Sequence, residues 1–292
     1  MSTHASHSSH SADPSFAALW SPGLLLLFIV AGILYTLAVG RWRKDIPDSE
    51  PVPFKQKMWF WIGLALWYAA EGSPLSYYGH HLYFSVHMFQ QSILYLIMPP
   101  ILLLGTPAWL LRSVIRTEKA KRFLWWVTSP VLALFFFNFI FSMYHIPMVM
   151  DWLMARPAAL FAYKAVFLVS AFQLWFPVFT PLPELGRMSE LKKMGYIFLN
   201  GVLLTPACAL IIFAGKPMYE MYAAVPPELL YLPMVDDQQL GGVIMKIVQE
   251  IVYGWALWYT FFRWYRTERR QDDEEELTEQ AYISAAGSIN RA

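Results

Sequence analysis

Most of the chemistry this sequence can offer sits in its histidines and methionines. His80, His81 and His87 open the stretch Gly79–Gly105, GHHLYFSVHMFQQSILYLIMPPILLLG, in which Gln90 and Gln91 precede a long apolar run. His80 and His87 are two helical turns apart, so both imidazoles share a helix face, and Gln91 continues it. His145 closes a second apolar run with Asp151 shortly after, and Asp236-Asp237 stands just before the last run, which carries Met245. Met88, Met143, Met148, Met150, Met154, Met218, Met221 and Met234 lie near the same ends of their segments. Imidazole and thioether suit copper, and thioether favours the cuprous ion. The expected ligand set is His87, His145, Met245 and Asp237, brought to one level by three helices. Helices in a bundle lie ~8–10 Å apart, near enough for inward side chains to share an ion. A plainer reading competes with this one. Methionine is a common filler of apolar gaps, and His80 and His81 suit a headgroup zone where phosphates and carbonyls are at hand. The lone Cys208 leaves no internal disulfide and no paired-cysteine metal site.

Apolar residues make up 57% of the chain and charged residues 15%, the composition of a polytopic membrane protein. The 13 Trp, with many Tyr and Phe, fit aromatic belts at two membrane surfaces. A net charge of +1 gives no electrostatic case for nucleic acid. Apolar runs point to seven spans: Leu19–Val39, Met58–Ala70, Leu82–Leu104, Phe123–Ile146, Ala158–Thr180, Gly195–Ala214 and Gly242–Trp264. A span needs ~20 helical residues, so the second is short, and Glu71-Gly72-Ser73-Pro74 interrupts it. Basic residues crowd the connections after spans one, three, five and seven, which places the N-terminus outside and the C-terminus in the cytoplasm. Dropping the second span would put two basic loops on opposite faces. The expected fold is therefore an all-α bundle of seven transmembrane helices over 19–265, a multi-pass protein of the cell membrane. A disordered, Ser- and His-rich tail over 1–18 would lie outside, and an acidic disordered tail over 266–292 in the cytoplasm. No cleavable signal peptide is expected, because the N-terminal stretch lacks a positive region and a small-residue cleavage site. Lys246 and Glu250, four apart, are expected to pair along the last span. Asn138 and Lys164 must face the bundle interior.

Four stretches carry a family likeness. They are SVHMFQQSILYLIMPPILLLGTPAW (Ser85–Trp109), FSMYHIPMVMD (Phe141–Asp151), GVLLTPACALIIF (Gly201–Phe213) and DDQQLGGVIMKIVQEIVYG (Asp236–Gly254). Together they resemble the CtaG-type cytochrome c oxidase assembly factors associated with caa-type oxidases, over nearly the whole chain from Leu19 to Tyr265. The resemblance implies a factor needed to make an active oxidase. Its partners would be oxidase subunits, above all the copper-bearing ones, and its task copper delivery or site maturation. The motif positions are His87, Gln90, His145, Pro147, Asp151, Asp237, Gln238 and Met245, with His81 beside them. Two departures matter: more distant relatives often carry a second His where Gln91 stands, and a His near Lys164. A fixed four-ligand site is therefore not implied.

Three other classes stay open. A copper or small-solute transporter would use the charged interior, although no inverted repeat is apparent. A haem protein would use His87 and His145 as axial ligands. A retinal protein would use Lys246, but that lysine lies near one end of its span and the third span offers no carboxylate counter-ion. No nucleophile–base constellation is present, so an enzyme is not expected.

The tail adds one further expectation. With Met1 removed, the terminus Ser2-Thr3-His4 offers an amine, two amides and an imidazole, a square-planar nitrogen set for the cupric ion, with His7 and His10 as weaker aids. The alternative is an inert tail. The topology is directly testable: a reporter active only outside the cytoplasm should work when fused after Tyr78 or Pro226 and fail after Arg116 or Arg270. Activity after Arg116 would overturn the seven-span arrangement.

Overall fold

Serine followed by proline starts three helices, at Ser21-Pro22, Ser73-Pro74 and Ser129-Pro130. Proline at a first helical position forfeits no hydrogen bond, because that N–H would have no partner within the helix. At two of these starts the serine hydroxyl also accepts from the helix, Ser73 from the Leu75 amide at 3.2 Å and Ser129 from the Leu132 amide at 3.3 Å. The computed structural model describes residues 14–289, and every regular element among them is helical. His4, His7 and His10 lie outside the described residues.

The helices are α1 (Phe16–Trp20), α2 (Pro22–Val39), α3 (Phe54–Gly72), α4 (Pro74–His81), α5 (Phe84–Ser92), α6 (Met98–Gly105) and α7 (Ala108–Val114). They continue as α8 (Glu118–Val127), α9 (Pro130–Tyr144), α10 (Pro147–Met154), α11 (Pro157–Trp175), α12 (Glu190–Ile212), α13 (Glu220–Ala223) and α14 (Met234–Ile289). Among the described residues, five stretches are long and apolar enough to cross a membrane: Phe16–Val39, Phe84–Gly105, Pro157–Trp175, Glu190–Ile212 and Met234–Thr278. The pair α8–α9, bent by 60°, adds a sixth if its two helices cross as one span. The chain is thus a multi-pass membrane protein.

Three expectations need adjusting. The run Phe123–Ile146 is not one rod: it breaks at Thr128, and Ser129-Pro130 starts a new helix at a steep angle. The stretch expected as Met58–Ala70 is a 19-residue helix, α3, longer than its apolar core because Lys55, Lys57 and Glu71 all lie within it. Those charges keep it below the apolarity of the other spans. The acidic segment after Tyr265, expected without structure, continues α14 as helix to Ile289. Arg, Glu, Gln and Ala in that stretch are strong helix formers.

The Pro99-Pro100 pair shapes the central helix. Neither proline has an N–H, and each ring crowds the carbonyl four residues back, on Tyr95 and Leu96. The backbone answers with a π-helical turn over Ile93–Ile97, which joins α5 to α6 in one rod. The Trp175 indole then donates to the Tyr95 carbonyl at 3.3 Å. Beyond the turn, α6 packs tightly on α3. A Cβ on Gly105 would lie 2.4 Å from the Phe60 amide nitrogen, and the Gly105 carbonyl accepts from the Tyr35 hydroxyl at 2.8 Å. Small residues permit this kind of close helix approach in a membrane.

Gly105→Val should therefore cost ~1–3 kcal/mol or more through forced separation of α3 and α6. Gly195→Ala, where nothing stands within 4 Å, should be neutral or slightly stabilising. Detergent melting curves of the two variants check the contrast; equal melting would mean that the α3–α6 contact is looser than described.

Candidate functional site

His80, His81, His87 and His145 gather at one end of the bundle, where α4, α5, α9, α10 and α13 meet the start of α14. His87 on α5 is buried, and its Nε2 lies 3.0 Å from the Tyr144 hydroxyl and 2.9 Å from the Gln91 amide nitrogen. Its Nδ1 has no hydrogen-bond partner. His145, at the end of α9, is equally buried, and its Nδ1 lies 2.7 Å from the Phe141 carbonyl. A carbonyl only accepts, so Nδ1 carries the proton and Nε2 keeps a lone pair. That Nε2 is buried with no partner.

His80 comes closer to His87 than an exposed position would allow, with ring centroids 5.1 Å apart and edge-on. It donates from Nδ1 to the Ser76 carbonyl at 2.9 Å, which leaves its Nε2 open. Burial, then the nearby Lys164 charge, holds His80 below the ordinary imidazole range, so it is neutral at pH 7. His81 is exposed; it stacks on Tyr77 at 4.6 Å and donates to the Tyr77 carbonyl.

The other expected residues do structural work at this same end. Asp237 accepts from the Phe84 amide at 2.7 Å and the Ser85 amide at 3.3 Å, and from the Ser85 hydroxyl. It thereby caps α5 from α14, with its charge at the positive end of the helix dipole. Gln238 accepts from the Met218 amide at 2.8 Å and donates to the Lys216 carbonyl. Asp151 accepts from the Glu220 amide at 3.0 Å and so caps α13. Gln90 donates to the Ala70 carbonyl at 2.9 Å and to the Ser76 hydroxyl, tying α5 to α3 and α4. Met245 is buried one turn beyond Gly241, where an added Cβ would meet Phe84 and Met88. Among the described residues, no three His, Cys, Asp or Glu side chains group as a metal-holding set. What the fold assembles is an imidazole layer whose surroundings are held by carboxylates and amides.

Two tyrosines seal that layer. Tyr219 donates to the His145 carbonyl at 3.0 Å, and Tyr222 donates to the Gly79 carbonyl at 2.6 Å. Phe84 lies between them, stacked on Tyr219 at 4.8 Å and edge-on to Tyr222 at 5.3 Å. Sequence reading passed over both tyrosines, and over Tyr144, whose hydroxyl meets His87 and whose ring contacts His145 at 5.5 Å. The one signal for Tyr144 was its place beside His145.

Lys164 and Asn138 both find partners. Lys164 pairs with Glu71 at 2.7 Å beside a cleft of about 490 Å³ lined by α2, α3, α11 and the π turn. Asn138 donates to Asn200 at 2.6 Å, and Asn200 in turn donates to the Tyr253 hydroxyl. Lys246 pairs with Glu250 at 2.6 Å, as expected from their spacing.

Asp237→Ala should lower stability by about 1.5–3 kcal/mol, the range for hydrogen bonds to a charged group, because three donors at the start of α5 lose their acceptor. A lower melting temperature of metal-free protein checks this. An unchanged melting temperature would mean that the carboxylate is not needed for the cap.

The family model of the cytochrome c oxidase caa3 assembly factor, Caa3_CtaG, matches residues 33–267. Neither a curated protein nor a solved structure matches the chain. The matched region takes in the imidazole layer, the two sealing tyrosines and the capping Asp237, and the chain belongs to the caa3 cytochrome c oxidase assembly factor family.

Proposed function

We propose that this chain matures the oxidase by holding copper at the imidazole layer and passing it to a copper-bearing oxidase subunit. In this reading seven helices cross the cell membrane, with α3 as the second, and the imidazole layer faces outward. The basic connections after alternate spans support that orientation. The protein acts as a non-catalytic factor, and copper is its cargo.

One observation carries the reading: His145 Nε2 is buried, unprotonated and unpartnered. A buried acceptor without a donor costs free energy, about 1–3 kcal/mol, unless something occupies it. His87 Nδ1 is likewise buried without a partner. In the neutral ring with Nε2 accepting, the proton sits on Nδ1. Ligation through Nδ1 therefore needs the tautomer with the proton on Nε2, whose N–H can donate to the unpartnered Gln91 Oε1 once the amide turns. The cuprous ion accepts two or three ligands of this kind, so two imidazoles and a thioether or the third imidazole suffice. His80 supplies that third imidazole through its open Nε2, and Met245 the thioether. Asp237, committed to its cap, contributes negative potential rather than a bond. Tyr219 and Tyr222 cover the layer, and a site away from water disfavours the more highly charged cupric ion relative to the cuprous one.

His87→Ala and His145→Ala should leave the factor inserted and abundant, while oxidase activity and copper per assembled complex fall by about tenfold or more, the loss expected when an outer-shell partner or ligand is removed. Normal copper per complex with reduced abundance of the factor would make both histidines structural and end this reading. A Soret band in the purified protein would favour haem in the same place.

A further inference from the structure

Helices α12 and α14 pack side by side and antiparallel. At one end Glu190 pairs with Lys193 at 2.9 Å and with Arg263 at 3.4 Å; at the other, Gly242 meets Ile211 and Ile212. Between these ends Lys246 pairs with Glu250 at 2.6 Å and donates to the Thr205 hydroxyl at 3.0 Å. Glu250 is 13 residues from Arg263, about 20 Å along the helix. It is eight residues, about 12 Å, from Gly242 at the other end. The hydrocarbon layer is ~30 Å thick, so the carboxylate lies inside it.

Yet the Glu250 side chain is 62% exposed. Its neighbours on that face, Ile247 and Ile251, are exposed as well, as are Phe198 and Val202 on α12. Ionisable groups in a bilayer normally face the bundle interior, and the one ammonium here satisfies only part of the carboxylate. Next to the pair is a cleft of about 200 Å³ lined by Phe198, Gly201, Val202, Thr205 and Gly254. Gly254 has no atom within 4 Å of where a side chain would begin.

We propose that the α12–α14 face at Lys246–Glu250 receives a transmembrane helix of the oxidase, one that carries a hydrogen-bond donor at the depth of Glu250. The identity of that occupant rests on the assembly reading above; the need for an occupant does not. Acyl chains have no donor at this depth, so lipid leaves the carboxylate unsatisfied. A second copy is a poor occupant for a symmetry reason. Copies share one orientation in the membrane, so a two-fold axis along its normal sets Glu250 against Glu250 and Lys246 against Lys246. A different helix with a basic, amide or hydroxyl side chain meets the charge without that repulsion. The open backbone at Gly254 lets it approach closely.

The test places photo-crosslinking residues at Val202 and Ile251 of the full chain, with Val169 on the exposed side of α11 as control, in cells assembling the oxidase. Oxidase subunits should be captured from Val202 and Ile251 and not from Val169. Glu250→Leu, combined with the crosslinker at Ile251, should insert normally and lower the oxidase yield by about tenfold, as for loss of a hydrogen bond to a charged group. Capture of a second copy of this chain, equal capture from Val169, or full capture with Glu250→Leu each overturns the proposal. If Glu250→Leu lowers abundance, capture from the unsubstituted Glu250 background decides alone. Deleting the whole chain separates the two readings. Normal oxidase assembly without it ends the assembly reading, whereas failed assembly with no oxidase capture at α12–α14 ends only this surface.

Discussion

Where α5 begins, two backbone amides and a serine hydroxyl have no bulk water to turn to, and Asp237 takes all three. The carboxylate comes from α14, more than 150 residues further along the chain, so one contact fixes the height of two long helices against each other. The rest of this end is built outward from it. Phe84, the first capped residue, packs between Tyr219 and Tyr222, and His87 follows one turn below. Asp151 and Gln238 then hold the segment bearing those tyrosines. Nearly every polar side chain here is consumed in construction. The exceptions are two imidazole nitrogens and the Gln90 and Gln91 amide oxygens, and of these the imidazoles are the metal ligands, which is why chemistry is assigned to them.

The long helices were legible because apolar runs of bilayer length have few alternatives, and because Pro and Ser mark their starts. The Lys246–Glu250 pair was legible for a local reason, as residues four apart on a helix are neighbours. Asp237 was not. From sequence a carboxylate before a helix is equally a ligand or a cap, and only the distant start of α5 decides. Glu71 had the same ambiguity: it read as an interruption of an apolar run and turned out to be the counter-ion of Lys164. The break at Thr128 was visible as Thr-Ser-Pro, yet the apolar residues on either side masked it. His80 was expected two turns from His87 on one helix face, but the chain breaks at Leu82-Tyr83, and it is the packing of α4 on α5 that brings the two rings together.

The two intramembrane ion pairs differ in a way that bears on their roles. Glu71 and Lys164 come from different helices and are equally covered, so their pairing ties α3 to α11. Lys246 and Glu250 share one helix, and their bond joins nothing to anything else; only the Thr205 hydroxyl links the lysine to α12. A charge pair that contributes so little to the bundle has a cost in lipid without a structural return within the chain.

The π turn at Ile93–Ile97 has a geometric consequence. A π turn holds one residue more than an α turn, and each residue advances a helix by about 100°. The rod from Phe84 to Gly105 is therefore out of phase with itself. Above the turn, His87 and Gln91 point at Tyr144 of α9. Below it, Leu102 and Gly105 meet Gly63 and Phe60 of α3. An uninterrupted α-helix would rotate one of these stripes away from its neighbour. The extra residue acts as a fixed twist in the shaft, which lets one helix serve two partners at two azimuths.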